Sequence, residues 1–413
     1  MKFEIQQEDL QRALEVVASV VPNKTTLPIL TAILFEVENE ELRLSVTNLD
    51  ISAVTTTDAA KVAREGKAAI PAQKLLGFVR NLAPGPVTLE EKDGRVKLRA
   101  GKASLEEASM NADEFPALPA LAAKKALTMP VGVLTTMVNQ TAYAVSRDET
   151  RPALMGILWE VRPEGLTLVA TDAHRLALST RSLDWSVDKP RDLIVATDAL
   201  KQLPRLVGGL AVGKLDRSRG EKADSSSADQ GALDADADDG LDAAAAAASP
   251  AEVEIFMGDN QLSFRVGPSV LHARLLEGPF PEYRAVLPQN NDKKLIVERE
   301  LMQSAVRRVA ITADRITSQI KMGVESGRME LQSRGTDGAR AEDELDVSYD
   351  GEALEIGFNY AYLQDILKNM RTQQVQVSLR DPQSAAVFEP VDENGETSGE
   401  LLCLLMPLRL ATD

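Results

Sequence analysis

The chain repeats its own pattern after 124 residues, without a gap. The run ILFEV at residues 33–37 returns as ILWEV at residues 157–161, and apolar and proline positions on both sides return in the same register. Because unrelated segments do not keep a constant offset over roughly forty residues, the repeat indicates a duplicated supersecondary unit. Before the first run, Leu10, Ala13, Leu14 and Val17 stand at spacings of three and four and predict an amphipathic helix, while the runs themselves predict strands. Each copy is therefore expected to be a helix followed by an antiparallel hairpin.

A second half-unit of strand, helix and further strands follows each copy. Its helices are predicted at residues 72–82 and 199–207, and a more divergent third copy begins with a helix at residues 301–310. Phe-Pro pairs at Phe115 and Phe280 precede the ends of the first two copies. We therefore predict an α+β protein of three repeated domains, each with two helices packed on antiparallel sheets. The predicted domains span residues 1–122, 123–290 and 291–413.

Bulk composition narrows the class of protein. A length of 413 residues suits several domains better than one core. The formal charge of −17 argues at first sight against nucleic acid, because affinity for phosphates comes largely from Lys and Arg. One cysteine and two histidines offer few ligands for a metal centre, so neither metal nor cofactor is expected. The N-terminus begins with a strand pattern, and no apolar run reaches the roughly 18 residues that cross a bilayer, so we expect a cytoplasmic protein.

One segment of the second predicted domain breaks the pattern. Residues 213–250 are rich in Ala, Asp and Ser. Low hydrophobicity with excess negative charge does not offset the entropy of ordering, so an acidic, low-complexity, disordered insert is predicted. The alternative is a short fluctuating helix in the alanine run at residues 243–248.

Basic side chains concentrate on the predicted helices although the whole chain is acidic. Two readings remain open: ordinary solvated helix faces, or a basic lining that faces a polyanion inside an acidic shell. The cations on five of the six expected helices are Arg12, Lys74, Arg80, Lys201, Arg205, Arg307, Arg308, Lys368 and Arg371.

Five short motifs point to a family. They are TTLPIL at 25–30, ATDAHRLA at 170–177, FPEYR at 280–284, IGFN at 356–359 and MPLRL at 406–410. With these motifs in combination, the chain resembles the bacterial sliding clamps, the beta subunits of the replicative DNA polymerase. The resemblance covers the whole chain except the acidic insert.

This resemblance implies a non-catalytic processivity factor with the DNA-clamp fold. A head-to-tail homodimer would form a ring that encircles duplex DNA, so its hold on DNA would be topological and independent of sequence. The implied partners are the polymerase catalytic subunit, the clamp loader, and other polymerases and repair proteins that carry short hydrophobic peptides. No membrane partner is implied.

The family's functional positions carry over residue by residue. The peptide-binding cleft, between the second and third domains, would comprise Leu154, Thr171, His174, Arg175, Leu176, Pro281, Val286, Asn359, Tyr362, Leu404, Leu405, Met406, Pro407, Leu408, Arg409 and Leu410. The DNA-facing residues would be Lys24 and Arg151, with the helix residues Lys74, Arg80, Lys201 and Arg205. The positions that match the dimer interface are Leu105 and Ile311.

The chain also departs from the family pattern. Ala285 stands where a second basic residue is usual, and Ala173 replaces a glycine. Residues 411–413 extend a terminus that normally stops at Arg-Leu. In the expected DNA-contacting loop, Asp148 and Glu149 would weaken contact with phosphates.

Two other classes of protein remain as alternatives. An adaptor of repeated domains would bind peptides without needing DNA. A hydrolase would use Asp172 and His174 as an acid and base pair, with Ser179 or Ser146 as nucleophile. Against the hydrolase, the first copy has Asn48 where the second has Asp172, which favours an architectural role.

For three further features of the sequence, we expect no specific functional site. The aspartates at residues 234–239 lack the glycine and closing glutamate of a calcium-binding hand loop. Cys403 lies in an apolar strand pattern and is expected to be buried and inert. His272 is expected to be a surface or packing residue.

Overall fold

The computed structural model describes residues 1–121, 126–185, 187, 189–208 and 251–410. The predicted insert at 213–250 and the extension at 411–413 lie outside the described residues. Within the described part, the helices are α1 (Gln7–Ala18), α2 (Ala72–Arg80), α3 (Val131–Ala142), α4 (Thr197–Leu200), α5 (Leu203–Gly208), α6 (Arg299–Ala310) and α7 (Tyr360–Asn369). The same residues include short 3-10 helices at Pro28–Thr31, Ala112–Glu114, Pro152–Met155 and Tyr283–Val286.

The strands of the first predicted domain are β1 (Lys2–Gln6), β2 (Ala32–Glu38), β3 (Glu41–Thr47), β4 (Ile51–Asp58), β5 (Lys61–Arg64), β6 (Gly66–Pro71), β7 (Pro86–Lys92), β8 (Arg95–Ala100) and β9 (Ala103–Ala108). Those of the second are β10 (Leu127–Pro130), β11 (Gly156–Arg162), β12 (Gly165–Thr171), β13 (Arg175–Ser182), β14 (Arg191–Ala196), β15 (Glu252–Met257), β16 (Gln261–Val266) and β17 (Ser269–Arg274). Those of the third are β18 (Lys293–Glu298), β19 (Gln319–Glu325), β20 (Arg328–Arg334), β21 (Arg340–Asp346), β22 (Leu354–Asn359), β23 (Gln374–Leu379), β24 (Ala386–Val391) and β25 (Leu401–Leu405).

The chain divides into two compact units. The first comprises Met1–Thr136 and Asp198–Leu275. It holds a five-stranded sheet, β5-β1-β7-β8-β9, and an eight-stranded sheet, β10-β15-β16-β17-β4-β3-β2-β6. Helix α1 packs on β3 and β4 and against α2 and α5, burying Leu10, Leu14 and Val17. The apolar stripe of α1 at spacings of three and four therefore builds the core of this unit.

The second unit comprises Met137–Thr197 and Leu276–Asp413. Its eight-stranded sheet has the order β14-β11-β12-β13-β25-β24-β23-β18, and its four-stranded sheet has the order β21-β20-β19-β22. Helices α6 and α7 pack on each other, α6 also on β20 and β21, and α7 on β22 and β25. Phe358 and Phe388 meet edge to face in its core.

The structure confirms the 124-residue repeat element by element. Helices α1 and α3, the turns that begin at Pro28 and Pro152, and strands β2 and β11 each start 124 residues apart. So do β3 and β12, and β4 and β13. The next pair, β6 and β14, is offset by 125 residues, so one residue has been inserted in the longer connection between them. The first two copies therefore share one arrangement of mixed helix and antiparallel sheet.

The compact units follow the sheets rather than the predicted domain limits. Each eight-stranded sheet joins strands from two predicted domains, β4 with β17 in the first unit and β13 with β25 in the second. The division between units falls inside α3. The limits 1–122, 123–290 and 291–413 stay a prediction.

The helix predicted at 199–207 is wrong in one respect, because the segment forms two short helices, α4 and α5. Pro204 is the second residue of α5. Since proline lacks a backbone N–H and suits the first turn of a helix, a new helix begins there instead of α4 continuing. No helix in the described part of the chain is long and apolar enough to span a membrane.

Candidate functional site

The turn between β12 and β13 is built by the side chains of Thr171 and Asp172. Asp172 Oδ1 accepts hydrogen bonds from the backbone N–H groups of His174 at 2.9 Å and Arg175 at 3.0 Å. Thr171 Oγ1 donates to the carbonyl of Arg175 at 2.7 Å. This arrangement holds Ala173 in the left-handed region, with φ of 77°. The turn thereby fixes the direction of the two side chains that follow it.

The first copy of the repeat builds the same turn. Asn48 Oδ1 accepts from the N–H groups of Asp50 at 3.1 Å and Ile51 at 2.7 Å, and Thr47 Oγ1 donates to the carbonyl of Ile51. The architectural reading of Asp172 is therefore confirmed. Both candidate nucleophiles of the hydrolase alternative, Ser146 and Ser179, are buried, and Ser179 donates to Gln140 Oε1 at 2.8 Å.

Arg175 is the centre of the site. Its buried guanidinium bonds Asp172 through Nε at 3.0 Å and Asp365 of α7 through Nη1 at 2.5 Å. It also lies over the rings of Tyr362, at 4.3 Å, and Tyr143, at 5.3 Å. A planar cation can satisfy two carboxylates and two aromatic faces together, which a lysine cannot. We call Thr171–Leu176, Tyr362, Asp365 and residues 406–410 the Arg175 site.

His174 stands exposed beside this cation. Its ring stacks on Tyr362, with centroids 6.3 Å apart and planes 21° apart. The carbonyl of His174 accepts from the N–H of Met406 at 2.9 Å. The exposed ring and the terminal segment are thus held in one place.

Tyr143, whose ring lies under Arg175, also contacts the buried thiol of Cys403. Tyr143 donates its hydroxyl to Cys403 Sγ at 3.1 Å. Burial raises the pKa of the Cys403 thiol to about 12, although the hydrogen bond from Tyr143 acts in the opposite direction. The prediction that Cys403 is buried is confirmed.

The terminal segment is fixed to the edge of the four-stranded sheet. Leu408 N–H donates to the carbonyl of Gly357 at 2.8 Å, and Gln319 Nε2 donates to the carbonyl of Arg409 at 2.9 Å. A Cβ on Gly357 would lie 2.6 Å from the oxygen of Leu408. Glycine at this position therefore permits the close approach, and Met406, 42% exposed, presents its thioether to solvent.

An apolar cluster lies in the same compact unit as Arg175. Seven buried residues form one cluster: Leu158, Val169, Leu176, Ile194, Tyr283, Ala385 and Leu404. Leu276, Phe280 and Leu287 of the segment after β17 pack against it. Pro281 and Val286 of the same segment are exposed, Val286 by 56%. We call this cluster of seven residues the floor, and we call residues 280–287 the wall.

A buried carboxylate bonds the wall to β11. Glu160 Oε2 accepts from the Tyr283 hydroxyl at 2.7 Å, and both carboxylate oxygens accept from Arg284 Nη2, at 2.8 and 2.7 Å. Burial, followed by the contact with Glu160, raises the pKa of Tyr283, so its hydroxyl stays a donor at neutral pH.

The structure brings most of the predicted cleft residues into one compact unit. His174 contacts both Tyr362 and Met406, Arg175 lies over the Tyr362 ring, and Leu176 and Leu404 lie in the floor. Leu154 and Leu405 are buried, and Asn359 accepts from the first N–H groups of α7. Their role in binding stays a prediction.

Sequence reasoning missed five residues around the Arg175 site. They are Tyr143, Glu160, Tyr283, Gly357 and Asp365. The repeat could have identified Glu160, since it matches Glu36, and FPEYR and IGFN contain Tyr283 and Gly357. Tyr143 and Asp365 contact Arg175 only in the folded structure, so the sequence alone does not mark them.

The cations expected to face DNA have acidic neighbours. The ion pairs are Lys74–Glu107 at 2.9 Å, Arg80–Glu15 at 3.6 Å, Arg151–Asp148 at 2.9 Å and Lys201–Asp198 at 3.5 Å. Lys24 is exposed and Arg205 half-buried. Contact of these six residues with DNA stays a prediction, and four of the six each lie beside one carboxylate.

The two residues matched to the dimer interface lie at sheet edges or beside them. Leu105, half-buried, is on β9, the edge strand of the five-stranded sheet. Ile311, 82% exposed, directly follows α6, which packs on β21, the edge strand of the four-stranded sheet. Edge strands can pair with a second chain, so the positions suit an interface that stays a prediction.

His272 is buried rather than exposed. Its Nδ1 lies 2.8 Å from Ser263 Oγ, and burial, with a smaller effect of Arg43, lowers its pKa to about 4. The packing role considered from the sequence is the correct one. Among the described residues, no group of three or more His, Cys, Asp or Glu could hold a metal ion.

The duplicated units, the two eight-stranded sheets and the Arg175 site define a protein of the DNA-clamp class. Family models of the DNA polymerase III beta subunit match the chain in three parts: the N-terminal domain at residues 1–119, the central domain at 128–212 and the C-terminal domain at 284–401. The chain belongs to the DNA polymerase III beta subunit family, the bacterial sliding clamps. It is a non-catalytic processivity factor of DNA replication.

Individual relatives agree over the full length. The chain is 27% identical to the beta sliding clamps of Pseudomonas putida KT2440 and Escherichia coli K12, in each case over 99% of this chain and 100% of the relative. A sliding clamp of Pseudomonas aeruginosa bound to griselimycin matches with a TM-score of 0.84 and 26% identity. One from Bartonella birtlesii, also bound to griselimycin, matches with a TM-score of 0.83 and 27% identity. Each covers 99% of this chain and 100% of the solved one.

Proposed function

We propose that the Arg175 site and the floor form a cleft that binds extended, apolar peptides of replication and repair proteins. The supporting observation is the combination of a buried apolar floor with a terminal segment held by backbone hydrogen bonds. Peptide sites work by offering preformed pockets to apolar side chains and a few polar groups that set orientation. Met406 suits several partners because its unbranched thioether adapts its shape.

The polar groups at this cleft are fixed before a peptide arrives. Arg175 has two carboxylates and two rings as neighbours, and His174 stacks on Tyr362. Side chains that are already ordered lose little entropy on binding. The partners proposed are the polymerase catalytic subunit, the clamp loader, and other polymerases and repair proteins.

The hold on DNA is proposed to be topological. Two copies would join head to tail through the edges at β9 and β21, near Leu105 and Ile311, and enclose the duplex. Cations that are already paired attract phosphates only weakly, which suits movement along DNA better than tight binding. The place of action proposed is the cytoplasm, as for bacterial replication proteins.

Loading the protein onto nicked circular DNA with a compatible clamp loader and ATP tests the ring. Protein that stays on the circle and leaves once the circle is cut encloses DNA and slides off the ends. Retention after cutting would instead show ordinary affinity and support the adaptor reading.

Peptide binding is tested separately by fluorescence anisotropy. The probe is a fluorescein-labelled apolar segment of the polymerase catalytic subunit from the same organism, called the polymerase peptide below. Tyr362→Ala, which removes the ring over Arg175, is expected to weaken binding at least tenfold. Equal binding by this variant and the wild type would contradict the location of the cleft.

A further inference from the structure

Glu160 differs from its counterpart in the first copy of the repeat. The two glutamates occupy the same position on β11 and β2, 124 residues apart. The Glu36 side chain is 39% exposed, with Arg43 at 3.9 Å, whereas the Glu160 side chain is 5% exposed. Since the strands are equivalent, the burial of Glu160 comes from what covers it in the second copy alone.

The groups that bond Glu160 most closely belong to the wall. Tyr283 and Arg284 both donate to Glu160, and Arg162 Nη2 lies 3.8 Å from it. A buried carboxylate is costly unless donors satisfy it, so these bonds hold the wall to β11. Arg284 also lies over the Tyr283 ring, with 4.7 Å from its guanidinium carbon to the ring centroid.

The wall is thereby fixed from two directions. The Tyr283 ring packs in the floor with Leu176 and Leu404, while its hydroxyl is held by Glu160. Val286 ends the same 3-10 turn and is exposed, and Pro281 precedes it. Rotation of the turn about the packed ring would break the hydroxyl bond, so the carboxylate sets how the exposed wall residues face the floor.

We propose that Glu160 is a positioning residue for peptide binding, which acts through Tyr283 and Arg284 to keep the wall in its binding geometry. This rests on the proposed function of the Arg175 site and names a residue outside the cleft predicted from the sequence. A peptide that meets a fixed wall does not bear the entropy of ordering it.

Two substitutions test the proposal with little loss of packing. Glu160→Gln keeps the shape and one acceptor oxygen but removes the charge, and Tyr283→Phe keeps the ring but removes the hydroxyl. Each substitution is expected to weaken binding of the polymerase peptide about tenfold. The double variant is expected to bind only slightly more weakly than either single variant, because both substitutions break the same network. The matched control is Glu36→Gln, expected to bind like the wild type.

Amide hydrogen exchange separates positioning from general loss of stability. In Glu160→Gln, the amides of residues 282–287 are expected to exchange faster, while those of β12 and β13 keep the wild-type rate. Wild-type affinity in Glu160→Gln together with unchanged exchange at the wall would overturn the proposal. If that variant does not fold, Tyr283→Phe decides alone: weaker binding supports the proposal and wild-type affinity overturns it. Failure of the wild type itself to bind would refute the proposed peptide cleft instead.

Discussion

Leu49 and Ala173 occupy the same position in the two copies of the repeat, and both have a left-handed backbone, with φ of 81° and 77°. In each copy an Asn or Asp one residue earlier accepts two backbone hydrogen bonds that close the turn. The turn itself therefore demands positive φ, whatever residue stands there. L-amino acids with a Cβ are strained in this region.

Ala173→Gly is expected to stabilise the protein. Removing the Cβ relieves strain of about 1–2 kcal/mol, offset in part by about 0.5–1 kcal/mol of extra chain entropy in the unfolded state. A thermal unfolding midpoint slightly above the wild type, by differential scanning calorimetry, would show this. Ala177→Gly, buried in β13, is the control and is expected to lower the midpoint.

Gly357→Ala is expected to displace the terminal segment. The added Cβ would meet the Leu408 oxygen at 2.6 Å, so the bond from Leu408 N–H to Gly357 has to lengthen or break. The polymerase peptide should then bind at least tenfold more weakly in anisotropy titrations. Gly323→Ala in the same sheet has open space around the new Cβ and should bind normally. Full affinity in Gly357→Ala would show that the segment plays no part in binding.

Arg175→Met is expected to destabilise the protein by about 2–4 kcal/mol, because two carboxylates and two rings lose one shared cation. Calorimetric midpoints and the affinity for the polymerase peptide should both fall. Arg95→Met on β8 is the comparison. Arg95 is 70% exposed and its partner Glu106 is 46% exposed, so a loss below about 1 kcal/mol is expected. Equal losses in the two variants would contradict a special role of Arg175.

Alkaline pH is expected to weaken the fold through Cys403. The thiol has an ordinary pKa of 9.0 and a folded value of about 12, so between these values the unfolded chain releases a proton that the folded chain keeps. Its contribution is complete below pH 9 and is lost as the pH rises toward 12. Urea unfolding from pH 8 to 10.5 should show a steeper decline for the wild type than for Cys403→Ala. Rapid reaction of the native thiol with an aromatic disulfide reagent at pH 8 would contradict this burial.

Ile311→Asp is expected to shift the proposed dimer toward monomer. The substitution places a charge where an apolar side chain, 82% exposed in the single chain, would be covered by a partner. Sedimentation velocity at micromolar concentration measures the change. Leu49→Asp is the control, since Leu49 is 54% exposed and an aspartate tolerates left-handed backbone. An unchanged sedimentation profile for Ile311→Asp would place the interface elsewhere.

Much of the fold follows from the sequence because the repeat is so regular. Strands β2, β3 and β11 were predictable from alternation, and the helices from spacing, since each buries one face against a sheet. The helix break at Pro204 follows from the missing backbone N–H of proline, but the apolar pattern of residues 199–207 predicted one continuous helix. The joining of β13 to β25 is a pairing between distant segments, and spacing along the chain carries no sign of it.

The site was predictable only where a family motif marks it. His174, Arg175 and Met406 stand in such motifs. Asp365 and Tyr143 do not, since their significance is a contact with Arg175 from other helices. Glu160 was visible as half of a repeated pair, but its burial depends on Tyr283, which is 123 residues away.

The ion pairs on the helices and loops give this clamp its own counterions. Where Lys74 or Arg80 is joined to a carboxylate, a phosphate that approached it would have to displace a tethered carboxylate, not a mobile chloride ion. On the proposed DNA-facing surface, each pair would leave fewer free cations for phosphates to attract. The diffusion coefficient of the clamp along DNA would then depend less on salt than it would if the same cations were unpaired.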